Sequence, residues 1–251
     1  VMAVDGTVVD VCCGERTLAV CTAESLSVFD AGEALESKGA CAALSKVNWG
    51  QDYCLRGEFV QGSGLDGLFA AVTSAGRVIA IDLNSARPEE TEVHREAPNC
   101  AVSLSTFEDG ALAVGTELGS VWLFSLDGKK FRKRGVVVPE VESGWPARDV
   151  AWLDRGQLAV TYQSESTDMQ TAVYSVDEEP MQRVPLGPVV YGPGPEDGKP
   201  LPSIYCVKVP SWPVAFLACS GSTEVEVLLN SEDEGWRHVR LAEGKQVALP
   251  V

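Results

Sequence analysis

Histidine is nearly missing from this chain: His94 and His238 are its two, in 251 residues. Both sit among charged neighbours in what reads as outer-strand sequence. A histidine-built zinc site or a nucleophile–histidine triad is therefore not expected. There is no Walker loop, no G-x-G-x-x-G that follows a strand and opens a helix, and no G-x-S-x-G. The glycine-rich "GSGLDG" (Gly62 to Gly67) leads into no helical sequence and reads as a loop. The acidic pairs Glu89-Glu90 and Glu178-Glu179 lie in polar, turn-like stretches and read as solvated surface. No catalytic residue, metal site or cofactor is expected, and the chain reads as a non-enzyme.

No apolar run reaches transmembrane length, and the first residues do not resemble a signal peptide, so membrane insertion is not expected. No Asn-x-Ser/Thr sequon occurs. The eight cysteines (Cys12, Cys13, Cys21, Cys41, Cys54, Cys100, Cys206 and Cys219) form no C-x-x-C. Cys21, Cys206 and Cys219 lie inside apolar runs, where a thiol behaves as a small hydrophobe. The expectation is a reducing compartment with buried free thiols. Basic residues are scarce: 20 Lys and Arg against 36 Asp and Glu leave a net charge of −16. Phosphate neutralisation needs clustered bases, so direct nucleic-acid binding is not expected. A basic protein partner would be steered inward. A chain that begins at Val1 reads as a fragment or a processed product.

Sustained helical periodicity is missing as well. "GEALES" and "CAALSK" are the two best helical candidates. What is present is a series of short apolar or alternating runs cut by Gly, Pro, Asp and Asn, which is all-β patterning. One small-residue motif recurs: "TLAVC", "FAAVT", "ALAVG", "QLAVT" and "FLACS", centred on Ala19, Ala71, Ala113, Ala159 and Ala218. The steps between these alanines are 52, 42, 46 and 59 residues. Two lie at or near the ~40–45-residue period of propeller blades, and the longer two need insertions. Each motif leads into a second strand, such as "GSVWLFSL" or "TEVEVLL". "DVAWLDRGQLAV" adds a strand before it, through the turn Asp154-Arg155-Gly156.

A β-propeller of degenerate, WD40-like blades follows, and residues 1–251 are expected to form a single propeller domain. Small residues suit the crowded strands nearest the axis, and Trp122, Phe124 and Trp152 are expected to fill the space between blades. Five units are visible. They fit a small five-bladed ring and, equally, a seven-bladed ring that lacks two N-terminal blades. "QVALPV" reads as a ring-closing strand or the start of a further segment.

Two further stretches have two readings each. "GKKFRKR" (Gly128 to Arg134) carries five bases in six residues, Lys129 to Arg134. It reads as a nuclear-localisation or RNA-contacting patch, or as an exposed fourth strand with Phe131 tucked inward. The second reading is favoured by its position in the unit. Trp145-Pro146 reads as a partner anchor or as a plug between blades, with the plug favoured.

"LACSGSTEVEVLLNSEDEGWRHVRLAEGKQVALPV" resembles the last blade of the N-terminal propeller of the CAN-type nucleoporins. The likeness lies in Ser222 to Val225, the acidic turn, the following Trp236 and the closing strand. "GALAVGTELGSVWLFSLDGKKF" and "ARDVAWLDRGQLAVTY" are similar to that family's preceding blades, so the resemblance runs from about Cys100 onward. It implies a non-enzymatic module at the cytoplasmic face of the nuclear pore complex, among other nucleoporins. Such a module docks the DEAD-box RNA helicase of mRNA export through a late-blade loop, on the face that otherwise holds RNA. Carried over by position, the partner contacts are Asn230, Glu232, Asp233, Glu234, Trp236 and Arg237. The sequence departs from the family at Leu229-Asn230, where a basic residue would stand. The alternative is a generic WD40-like interaction scaffold of another complex, such as a vesicle coat or a ubiquitin ligase.

Overall fold

The computed structural model describes residues 4–36, 41–50, 52–62, 65, 67–85, 90–92, 100–128, 130–138, 145–163, 169–177, 182–184, 204–208, 214–219, 225–231 and 235–240. They form five antiparallel sheets of four strands each. The first sheet holds β1 (Val8–Cys13), β2 (Thr17–Thr22), β3 (Ser25–Asp30) and β4 (Ser45–Asn48). The second holds β5 (Cys54–Phe59), β6 (Leu68–Thr73), β7 (Val78–Asp82) and β8 (Glu90–Glu92). The third holds β9 (Ala101–Phe107), β10 (Ala111–Thr116), β11 (Val121–Asp127) and β12 (Lys130–Val137). In the fourth are β13 (Ala147–Asp154), β14 (Gln157–Gln163), β15 (Met169–Ser175) and β16 (Gln182–Val184). In the fifth are β17 (Ile204–Lys208), β18 (Val214–Cys219), β19 (Val225–Ser231) and β20 (Gly235–Arg240). Every sheet is a meander whose strands pair in chain order.

The sheets face one another through their first strands, β1 against β5, β5 against β9, β9 against β13 and β13 against β17. These are the innermost strands. The small-residue motif therefore falls one place further out than its composition suggested, on β2, β6, β10, β14 and β18. Its small side chains answer to a different constraint: β6 is buried along its whole length, with neighbouring sheets on both faces. Phe69 and Ala71 pack toward the first sheet, while Ala70 and Val72 pack toward the third. In β10, Leu112 and Val114 turn to the second sheet and Ala113 to the fourth. A strand buried on both faces shows no polar alternation, and its bulk is limited by the spacing of its neighbours.

Close approach is sharpest at Gly115. A Cβ there would lie 2.3 Å from Ser103 Oγ and 2.6 Å from the Ala147 carbonyl oxygen, on the inner strand of the next sheet. The turn Glu108-Asp109-Gly110 is a single 3-10 turn with φ of 62° at Asp109 and 74° at Gly110. Both are left-handed, which glycine and aspartate tolerate best.

The first five residues of "GEALES" are helical within α1 (Ala31–Glu36), started by Asp30, whose Oδ1 accepts the Glu33 amide at 2.8 Å, and Ser37 lies outside the described residues. "CAALSK" is not. Its first residue forms an isolated bridge, and Ser45 and Lys46 already pair with β3. Six residues without a cap cannot offset helix nucleation, and an adjacent sheet edge supplies the backbone partners instead. "GSGLDG" leads directly into β6, with the Leu65 amide bonded to the Gly62 carbonyl at 3.2 Å. Among the acidic pairs, Glu90 opens β8; Glu89, Glu178 and Glu179 lie outside the described residues.

Candidate partner-binding site

The residues singled out for partner contact gather at one hairpin of the fifth sheet. β19 and β20 are its third and fourth strands, and their register puts Asn230 opposite Trp236, Leu229 opposite Arg237 and Ser231 opposite Gly235. Glu232, Asp233 and Glu234 are the three residues that join these paired ends, and they lie outside the described residues. Asn230, Trp236 and Arg237 thus stand on the two strands at the base of the acidic connection. His238 is on outer strand β20, opposite Leu228, and His94 lies outside the described residues.

The basic run occupies the position expected for it. β12 is the outer strand of the third sheet, with Phe131 buried and Lys130, Arg132, Lys133 and Arg134 exposed. Lys129 lies outside the described residues. Trp145 is half-buried against the layer between the third and fourth sheets, which supports the plug.

A second constellation escaped the sequence reading. The inner strands carry charged and hydroxyl side chains that bond from one sheet to the next. Asp10 Oδ2 on β1 accepts the Gly57 amide of β5 at 3.0 Å. Glu58 Oε2 on β5 accepts the Thr106 amide of β9 at 2.8 Å. Arg56 Nη2 on β5 donates to Asp149 Oδ1 on β13 at 2.9 Å, reaching past β9. Ser103 Oγ on β9 donates to the Ala147 carbonyl at 2.7 Å. No local motif signals this belt; the weak sign is a run of hydroxyl residues, Ser103, Ser105 and Thr106, in an otherwise apolar strand.

The carboxylates converge on one guanidinium. Desolvation opposes the charge of Arg56, but Asp149, Asp10 and Glu58 together hold its pKa above the usual arginine value. Glu58 behaves differently. Burial raises its carboxyl from 4.5 to about 7, against the opposing pull of the Thr106 N–H and Arg56 and with added repulsion from Asp149. The native state thus keeps a proton that the unfolded chain releases near pH 4.5. Stability is expected to fall as pH rises from about 4.5 to about 7, by up to roughly 2–3 kcal/mol from this group. Glu58→Gln keeps the acceptor without the charge and should flatten that part of the curve. Urea denaturation of both proteins between pH 4.5 and 8 checks this, and identical pH slopes would refute it.

The belt is built of bonded pairs between sheets, a stapling arrangement. Among the described residues, no group of three or more His, Cys, Asp and Glu is placed to hold a metal ion. The six described cysteines are free thiols. Cys21 and Cys54 are fully buried together, and contact with Cys54 plus desolvation pushes the Cys21 thiol up. Burial likewise pushes Cys12 up. Such thiols are poor nucleophiles. Cys13 differs from the expectation, being exposed, and the side chains of Cys206 and Cys219 are outside the description.

No family model and no curated protein matches the chain. Solved structures do. Over 97% of its length it superposes on 64% of a chain in the S. cerevisiae complex of a Dbp5 variant with Nup159, a Gle1 variant, IP6 and ADP, with a TM-score of 0.60 at 17% identity. The N-terminal domain of Nup159 aligns over 92% of this chain and 61% of its own, at TM-score 0.56 and 16% identity. For the WD40 domain of Toxoplasma gondii coronin the coverages are 90% and 55%, the TM-score 0.64 and the identity 13%. A putative 6-phosphogluconolactonase from Bacteroides fragilis also matches, at TM-score 0.64 and 13% identity over 99% of this chain and 72% of that one. The chain spans less than two thirds of the length of the first three. At such identities the likeness speaks for the fold, and with the five four-stranded meanders above it makes this chain a β-propeller of WD40-like blades.

Proposed function

We propose that this propeller is a non-enzymatic nucleoporin module that docks the DEAD-box ATPase of mRNA export at the cytoplasmic face of the nuclear pore complex, beside other nucleoporins. Residues 1–251 form one propeller domain in this reading. The observation that carries it is the hairpin of the fifth sheet, where paired strands hold three consecutive acidic residues between Asn230 and Trp236. The likeness to a complex that contains Dbp5 and Nup159 supports it. Glu232, Asp233 and Glu234 supply negative charge to basic residues that otherwise bind RNA phosphates. Asn230, Trp236 and Arg237 supply contacts at the base of the hairpin. RNA and the propeller then compete for one helicase surface.

The test is titration of a recombinant DEAD-box export ATPase against the chain and against its Glu232→Lys/Asp233→Lys/Glu234→Lys variant. Reversal is expected to weaken binding by about tenfold or more and to remove most of its salt dependence. Equal, salt-insensitive binding by the variant would sink the mechanism. Absence of helicase binding by the parent chain would favour a scaffold of another complex, which would use a different rim.

A further inference from the structure

We propose that the outer edge of β12 is a docking site for an acidic, extended segment of a partner protein, which adds a fifth strand to the third blade. The sheet order β12-β11-β10-β9 leaves this edge unpaired among the described residues. It is eight residues long, enough for a full ladder with a peptide.

The strand is fixed from within and charged from without. Phe131 is buried with Phe124 and Leu104 between the second and third sheets. Lys133 holds its ammonium 3.8 Å from the centroid of the Trp122 ring, which sets its place on the opposite face from Arg132. Arg132 pairs with Asp127 at 2.6 Å and Arg134 with Asp177 at 3.3 Å. All four of these side chains are largely exposed, so each pair contributes at most about 1 kcal/mol and exchanges readily for an incoming carboxylate. The pairing of β11 with β12 slips between Leu123 and Phe124, leaving Arg134 with no residue opposite.

Charge complementarity names the occupant. Within a chain of net charge −16, residues 129 to 134 invert the sign locally with five bases. Acidic residues at every second position of an added strand would lie beside Lys130 and Arg132. A polyphosphate fits less well. Its oxygens can accept from the outward N–H groups of the edge but donate nothing to the outward carbonyls, so it cannot build a strand ladder. A peptide uses both the ladder and the charges.

The test uses the whole chain and fluorescence anisotropy with a labelled, N-acetylated heptapeptide of alternating glutamate and valine. Saturable binding is expected, with amide exchange slowed across residues 130–137. The Lys130→Glu/Arg132→Glu/Lys133→Glu variant should bind about tenfold more weakly or worse, as should a probe with alternate amides N-methylated. The substituted side chains are exposed, and circular dichroism confirms that the variant is folded. Equal binding by the folded variant overturns the proposal, and so does equal binding of the N-methylated probe. A decauridylate that binds where the peptide does not makes β12 a nucleic-acid contact and overturns it too. If neither probe binds, the charges only guard the edge against self-association, and the proposal fails. No arm involves the helicase, so this result is independent of the acidic hairpin.

Discussion

Truncation of Trp152 to alanine is expected to destabilise the protein by about 3–5 kcal/mol. Trp152 lies on inner strand β13, is 4% exposed, and fills the layer between the third and fourth sheets. Its Nε1 donates to the Ser105 carbonyl at 3.2 Å and its amide to Ser105 Oγ at 3.4 Å. The ring also lies against Phe107, centroids 5.9 Å apart. Removing it opens a cavity in the layer that it shares with Leu123, Leu158 and Tyr174. It also leaves the Ser105 carbonyl with one donor fewer. Trp122→Ala is the control. That ring is partly buried on β11, at the margin of the layer between the second and third sheets, and its loss should cost less, about 1–2 kcal/mol. Urea denaturation followed by circular dichroism separates the two. A Trp152 variant no less stable than the Trp122 variant would mean that the inter-sheet layer is not where stability resides.

The reason for Trp152's weight also explains how far the sequence could be read. A blade is a local meander, so its four strands are written consecutively and its turns are legible. Asp154-Arg155-Gly156 is such a case, with the Gly156 amide bonded to Asp154 Oδ1 at 2.9 Å. The alternation in Lys130-Phe131-Arg132 placed Phe131 inward because one side of an outer strand faces solvent. The small-residue motif announced the repeat, yet burial on both faces erased the alternation that would have told second strand from first. The inner belt was illegible for another reason. Asp10, Arg56, Glu58 and Asp149 are single charges on three strands, and Arg56 and Asp149 are 93 positions apart. Each taken alone reads as surface. Only ring-wise stacking of the sheets brings them together, and no local pattern encodes that. At the acidic hairpin, local sequence gives the pairing of Asn230 with Trp236, since a short polar break between two alternating runs makes a hairpin. A charged turn does not by itself specify a ligand, because recognition depends on both surfaces.

Asp149→Ala should be nearly as damaging as the loss of Trp152, about 3 kcal/mol, because it takes the bonded counter-ion from a largely buried guanidinium instead of opening a hole. Asp149 is 3% exposed at its side chain and Arg56 23%, so the guanidinium would keep its charge with its nearest counter-ion gone. Arg56→Met in the same chain removes the charge that has lost its bonded carboxylate and keeps most of the stem volume. The double variant should therefore recover at least about 1–2 kcal/mol relative to Asp149→Ala alone, a coupling that a double-mutant cycle reads directly. Additive losses would show that the 2.9 Å contact carries no joint energy. Arg56→Met alone has a second signature. Arg56 is one of the groups that hold the Glu58 pKa down, so its removal lets burial and Asp149 push that pKa further up. The pH range over which stability falls should then extend above pH 7. The acidic hairpin belongs to the fifth sheet, whereas the belt ties β1, β5, β9 and β13. If the acidic hairpin docks the helicase as proposed, the affinity measured well below the unfolding transition should consequently be unchanged in the double variant.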